Sequence, residues 1–283
     1  MACDFGELRG IKGAVGNGRM AMKKPKWVVD KERAKRAAAA ETVWLFGLHA
    51  VRDALMNPAR EKLRLVVTQN ARNKLQDAVA QAGIVPEMAD PRKFAAPLDP
   101  GSVHQGAALE VKPLNWGGIQ ELAKVADGQS PRIVLLDRVS DPHNVGAILR
   151  SAEVFGARAV IAPERYSAPE TGALAKTASG ALERQPYIRV RNLAETMMQL
   201  KDLGYFIYGL EGEAAHSIAQ AGQGMNGPTA IVLGAEGPGL RDRTKATCDA
   251  LIKIDAVQGF GSLNVSNAAA VALFAMSAVH QDN

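Results

Sequence analysis

Short apolar runs punctuate the second half of the chain: Ile133–Leu136, Ala159–Ala162, Phe206–Leu210, Ala230–Leu233 and Leu251–Ile254. Each has four or five residues, and patterns of helical spacing lie between most of them. Continuous apolar runs suit strands buried on both faces, and their alternation with helices predicts a parallel sheet covered on both sides. The first half reads differently. Val43–Phe46 predicts a strand, Gly47 a turn, and the residues to Leu55 a helix. Leu63–Thr68 predicts a second strand and Asn73–Ala82 a helix that Gly83 stops; Ile84–Met88 and Ala107–Val111 predict two further strands. The fold class is therefore α/β throughout. Residues 42–112 form a small module of a size that can fold alone. Residues 113–130, with Pro113, Gly117-Gly118 and Asp127–Pro131, read as a linker carrying one short helix. Residues 131–283 form the main parallel-sheet domain, and no internal repeat is seen.

Charge adds a third region. The formal net charge is +5, but residues 1–40 hold ten Lys/Arg against four acids, a local +6 that leaves −1 for the rest. The segment 1–41 thus reads as a basic, disordered tail. Sequence-independent affinity for phosphate backbones and a merely solubilising extension explain it equally well. No apolar stretch is long enough for a membrane span, and the first residues carry Asp4 and Glu7 and no apolar core of a secretory signal. Cys3 and Cys248 form neither a disulfide framework nor a metal-ligand spacing. A cytoplasmic protein with no metal is expected.

Three segments carry candidate chemistry. The first is Asp137-Arg-Val-Ser-Asp-Pro-His-Asn-Val-Gly-Ala-Ile-Leu-Arg150. Asp141 and Pro142 mark a helix start as N-cap and first helical residue. Val145, Ile148, Leu149, Ala152 and Phe155 then share one face, and Arg150 lies opposite, roughly in line with His143. Asn144 sits in the first turn, at strand ends where ligands bind in such sheets. The second segment is Gly234-Ala-Glu-Gly-Pro-Gly239, whose glycine spacing is not that of a dinucleotide-binding loop. Glu236 lies within that turn. The third is Gly259-Phe-Gly-Ser-Leu-Asn-Val-Ser266, which opens into an alanine-rich helix. Taken singly, each has a plain structural explanation: a surface arginine and a capping-region asparagine, a turn acid, and a helix cap at Ser262 or Asn264.

Together, in this order on this sheet, the three segments resemble the signature motifs of the SpoU family in the SPOUT superfamily. The resemblance runs from Arg132 to the C-terminus. The module opening Leu45-Phe-Gly-Leu-His-Ala-Val and closing His104-Gln-Gly106 is similar to the L30e-like substrate-binding domain of the subgroup that methylates guanosine in 23S ribosomal RNA. The resemblance implies S-adenosyl-L-methionine as cofactor, RNA 2′-O-ribose methylation as reaction, and a deep trefoil knot. It implies cofactor contacts at Gly234, Gly237, Ile254, Ser262 and Leu263. Catalytic roles fall on Asn144, Arg150, Glu236, Ser262 and Asn264, with Arg150 fixed by a phosphate or by Glu236. Implied partners are RNA, ribosomal in preference, and a second copy of the chain; neither membrane nor DNA is expected. Transfer RNA is the alternative substrate. A catalytically silent RNA-binding or ribosome-assembly factor is the alternative class, disfavoured because it would have little reason to carry all five site residues. A nicotinamide-dependent oxidoreductase fails on glycine spacing.

Overall fold

A computed structural model describes residues 42–222, 226–256 and 263–278. The tail 1–41 and Ser262 lie outside these described residues.

The N-terminal part forms a four-stranded sheet with spatial order β1-β4-β2-β3. Its strands are β1 (Val43–Phe46), β2 (Lys62–Val67), β3 (Glu87–Met88) and β4 (Ala107–Val111). Helices α1 (Leu48–Met56), α2 (Gln69–Lys74) and α3 (Gln76–Ala82) accompany it. The helix expected over Asn73–Ala82 is thus two helices, broken at Leu75, where φ is −106° and ψ 9°. The strand expected over Ile84–Met88 pairs only at its last two residues. Pro86 precedes them and has no N–H to give a ladder. A short helix, α4 (Ile119–Leu122), lies in the segment expected to link the two parts.

The larger sheet has seven strands, all parallel, in the order β7-β6-β5-β10-β8-β11-β9. The five expected strands are β5 (Arg132–Asp137), β6 (Ala159–Pro163), β8 (Phe206–Leu210), β10 (Thr229–Gly234) and β11 (Ala250–Lys253). Two edge strands join them, β7 (Tyr187–Val190) and β9 (His216–Ser217). The connecting helices are α5 (Pro142–Val154), α6 (Gly172–Ala178), α7 (Leu193–Asp202), α8 (Ile218–Gly222), α9 (Asp242–Thr247) and α10 (Val265–Ala278). Ile133, Val134, Leu135 and Leu136 of β5 are all fully buried, as are Ala230, Ile231 and Val232 of β10. This is the behaviour of strands covered on both faces.

The two sheets are joined by a buried ion cluster. Arg60 has no exposed side-chain surface and grips Glu183 with two nitrogens, Nε to Oε2 at 3.0 Å and Nη2 to Oε1 at 2.7 Å. Its Nη1 donates to Glu170 Oε1 and to the Lys112 carbonyl, both at 2.8 Å. Burial alone pushes the Arg60 pKa down, but the two carboxylates more than offset it and the net direction is up. Glu170 is pushed up, because burial outweighs its attraction to Arg60. Asn57 Nδ2 adds a 2.9 Å bond to Glu183. Contact is tight nearby: a Cβ on Gly172 would stand 2.4 Å from the Trp44 carbonyl oxygen.

Candidate active site

Strands β5 and β10 are neighbours, and their last residues, Asp137 and Gly234, are in register. From β5 the chain goes on to β6 on one side; from β10 it goes on to β11 on the other. Loops that leave adjacent strand ends in opposite directions open a crevice, the usual ligand site of parallel sheets.

The loop after β10 is folded tightly on itself. Gly239 N–H donates to the Ala235 carbonyl at 2.9 Å. A Cβ on Gly234 would lie 2.2 Å from the Gly239 carbonyl carbon, so no side chain fits there. Gly237 and Gly239 take φ of 83° and 67°, the left-handed region that glycine enters freely. Asp137, fully buried, fastens the end of the loop by accepting from Arg241 N–H at 3.0 Å and Arg241 Nε at 2.7 Å.

This loop borders a cavity of about 500 Å³, whose walls include Gly234, Gly237, Ile254 and Leu263. The structure therefore brings together every described residue assigned to cofactor contact. Leu210, Glu211 and Glu213 at the end of β8 complete the wall and were not anticipated. Their signal was present: Leu-Glu-Gly-Glu directly follows an apolar run, and β8 lies beside β10. Glu211 is held by Lys245 Nζ at 2.7 Å. Leu210, Leu233, Ile254, Leu263 and Val265 offer apolar cover for a planar ring, and the glycine backbone offers hydrogen-bonding edges close to the cavity. Size and lining suit a nucleoside carrying an amino-acid tail. The Gly234→Ala substitution is expected to cost about 1–3 kcal/mol of stability by overpacking, and to weaken cofactor binding at least tenfold. Urea denaturation and calorimetric titration check the two effects.

At the mouth of this cavity the three sequence segments meet. Asn144 Nδ2 donates to Glu236 Oε1 at 3.0 Å. Asn264 Nδ2 donates to the same oxygen at 2.6 Å and to Asn144 Oδ1 at 3.0 Å. Asn264 Oδ1 meanwhile caps α10, accepting from Ser266 N–H at 2.9 Å and Ser266 Oγ at 2.6 Å. The capping reading of Asn264 holds for the oxygen of its amide, while the nitrogen faces Asn144 and Glu236. Asn144 owes its position to Asp141, which accepts from His143 N–H at 3.0 Å and so begins α5 where expected.

Arg150 stands apart. It is exposed on α5, six residues beyond Asn144, which places it about 9 Å farther along the axis and on another face. Of the two expected anchors for Arg150, a phosphate or Glu236, the second does not hold it within one chain: Glu236 Oε1 is bonded by Asn144 and Asn264. The described residues offer Arg150 no hydrogen bond or ion pair. Burial pushes the Cys248 thiol up to about 12, which keeps it protonated near neutral pH.

Comparison with known proteins agrees with this geometry. The SpoU rRNA Methylase family profile matches residues 131–274. A profile described as RNA 2′-O ribose methyltransferase substrate binding matches residues 44–117. The 23S rRNA (guanosine-2′-O-)-methyltransferase RlmB of Photobacterium profundum is 40% identical over 238 residues, spanning 81% of this chain and 95% of its own. The Escherichia coli K12 protein of the same name is 39% identical over 236 residues, covering 81% and 96%. Among solved structures, the SpoU methyltransferase AviRb from Streptomyces viridochromogenes, in complex with AdoMet, superposes with TM-score 0.72 at 21% identity. That superposition covers 88% of this chain and 93% of AviRb. An AdoMet-bound rRNA methyltransferase from Sinorhizobium meliloti gives 0.69 at 20% identity, over 88% and 93%. These two likenesses establish the fold.

Proposed function

Because the chain belongs to the SpoU rRNA methylase family, we propose that it methylates the 2′-oxygen of a guanosine in 23S ribosomal RNA, with S-adenosyl-L-methionine as cofactor. The observation that carries this reading is the Asn144–Glu236–Asn264 cluster at the mouth of a nucleoside-sized cavity. The 40% identity to a named 23S guanosine enzyme supports the substrate. When bound, the cofactor supplies an electrophilic methyl group on its sulfonium.

The protein's task is alignment and proton handling. Alignment of two reactants contributes up to roughly 7–11 kcal/mol in favourable cases. A guanidinium offers N–H donors in a planar fork and no acceptor, so Arg150 serves as a donor and not as a base. It stabilises the negative charge that develops on the ribose 2′-oxygen and orients the sugar, while a phosphate oxygen or water takes the proton. Asn144, Glu236, Ser262 and Asn264 hold the nucleotide for the transfer. Residues 42–112 present the RNA, residues 131–283 carry a trefoil knot around the cofactor, and the enzyme works in the cytoplasm. Among the described residues no helix is long and apolar enough to cross a membrane.

The active unit is a homodimer. On α5, Ala147, Arg150 and Val154 follow at helical spacing, and on α10 so do Asn267, Ala270, Val271 and Phe274. Val154 is 71% exposed and Phe274 61%, with Phe274 edge-on to Phe155 at 6.2 Å. Large exposed apolar side chains on adjacent helices mark an interface. A second copy also solves the isolation of Arg150, which would complete the partner's site. Phe274→Asp is expected to give a monomer in sedimentation velocity with turnover reduced at least tenfold; a wild-type protein monomeric at micromolar concentration would contradict the dimer.

Incubation of purified protein with methyl-labelled cofactor and a 23S rRNA transcript tests the reaction. Nuclease digestion should return the label as 2′-O-methylguanosine. Label on a base, or on transfer RNA alone, would refute it.

A further inference from the structure

A second cavity, of about 310 Å³, adjoins the first and is given no ligand by the reading above. Arg138, Ser140, Tyr166, Pro238 and Arg241 line it, and Ala235, Glu236 and Gly239 belong to both cavities. One wall is unusual. Arg138 and Tyr166 take φ of 64° and 61°, a region that bulky L residues avoid. Among the described residues only two other non-glycine positions do so, Gln105 and Ser179. The two strained residues form one unit, with the Arg138 guanidinium 4.7 Å from the centroid of the Tyr166 ring. Tyr166 is nevertheless 69% exposed.

The scaffold holds this geometry from both sides. Ala168 N–H donates to the Val139 carbonyl at 3.3 Å, the Tyr187 hydroxyl to the Ala168 carbonyl at 2.7 Å, and Glu164 N–H to the Val190 carbonyl at 2.8 Å. Asp137, just before Arg138, is buried and clamped to Arg241. An exposed aromatic ring kept in a strained conformation by its surroundings points to a use outside the chain's own packing.

We infer that this cavity receives the base of the nucleotide whose ribose is methylated, with Tyr166 and Arg138 as its stacking face. The inference rests on the methyltransferase reading. Base and ribose of one nucleotide are immediate neighbours, and Glu236, at the mouth of the first cavity beside Asn144 and Asn264, also lines the second. A base must leave its stack to enter such a pocket, and aromatic rings and guanidinium planes are what hold unstacked bases. The edge chemistry favours guanine. Asp137 occupies Nε and Nη2 of Arg241, leaving Nη1 as a donor, and Ser140 adds a hydroxyl. Donors match O6 and N7 of guanine, whereas adenine presents an amino group in place of O6.

The test uses the full-length protein, a 23S rRNA transcript and labelled S-adenosyl-L-methionine. Tyr166→Gly removes the ring and the strain together. It is expected to lower kcat/KM roughly ten- to hundredfold, as loss of one base stack does. Cofactor affinity should be unchanged and the melting temperature equal to or above wild type, an outcome that a purely structural role would not produce. Tyr166→Phe keeps the ring and is expected to regain most of the lost kcat/KM. Tyr166→Gly within threefold of wild type would overturn the inference, as would a parallel loss of melting temperature and activity. Wild-type protein that leaves the transcript unmethylated would overturn the parent reading as well; wild-type activity with an unaffected variant would overturn this one alone.

Discussion

Arg150→Ala is expected to lower kcat about 10²–10³-fold, the usual cost of removing one donor from a developing oxyanion. Cofactor affinity should be unchanged, because Arg150 does not line the cofactor cavity. The fold of each chain should stay within about 0.5 kcal/mol of wild type, because Arg150 has no hydrogen bond or ion pair to the described residues of its own chain. Arg150→Lys separates two roles. It keeps the charge and loses the planar fork. Near-full turnover in that variant would show that charge alone suffices and that bidentate positioning is wrong; a loss approaching that of Arg150→Ala supports positioning. Single-turnover methylation of the 23S transcript, beside calorimetric cofactor titration, measures both. A mixed dimer of Arg150→Ala with a chain deficient in cofactor binding sharpens the result. If Arg150 acts across the interface, such a mixture should retain one working site.

The largest effect on stability is expected at Arg60. Removing one member of a buried ion cluster leaves its partners charged and unpaired, at a cost of about 3–5 kcal/mol. Arg60→Ala strands Glu183 and Glu170, and urea denaturation should register a loss in that range. The pH dependence has a definite sign. Burial raises the Glu170 pKa even in the presence of Arg60. With Arg60 gone nothing offsets that burial, so the folded state holds protons that the unfolded chain has released. Stability then falls as pH rises through the window between the unfolded and folded values. The deficit of Arg60→Ala should therefore be larger at pH 8 than at pH 5, and should shrink on adding Glu183→Gln. A loss under 1 kcal/mol at pH 8 would show that the cluster does not hold the two sheets together.

The sequence made the larger sheet readable, for a physical reason. Strands buried on both faces leave uninterrupted apolar runs, and in a parallel sheet every such run ends on the same side. Asp137, Leu210, Gly234 and Lys253 are all strand ends of this kind. Asn144, Glu236 and Asn264 each follow such a run, which puts them on the same side of the sheet; that they act together was implied only by the family resemblance. The edge strands were harder. Tyr187–Val190 is mostly half-buried and mixes Arg189 into its run, and His216–Ser217 is two residues long. Neither leaves an apolar signature. Arg60 was invisible for another reason. Its partner Glu183 lies 123 residues away, and no local pattern distinguishes a buried arginine from a solvated one. The Tyr166 wall was hidden likewise, since left-handed backbone at a tyrosine is imposed by the surrounding fold and has no local cue. The position of Arg150 on its helix was legible, but its partner was not: the expected Glu236 is already bonded to two asparagines.

The central claim is ribose methylation of one guanosine in large-subunit RNA. Transcriptome-wide mapping of 2′-O-methylation in cells lacking this protein, and in the same cells carrying it again, tests that claim most directly. One 2′-O-methylguanosine is expected to disappear from 23S ribosomal RNA and to return with the wild-type chain but not with Arg150→Ala. An unchanged 23S pattern, or a loss confined to transfer RNA, would contradict it.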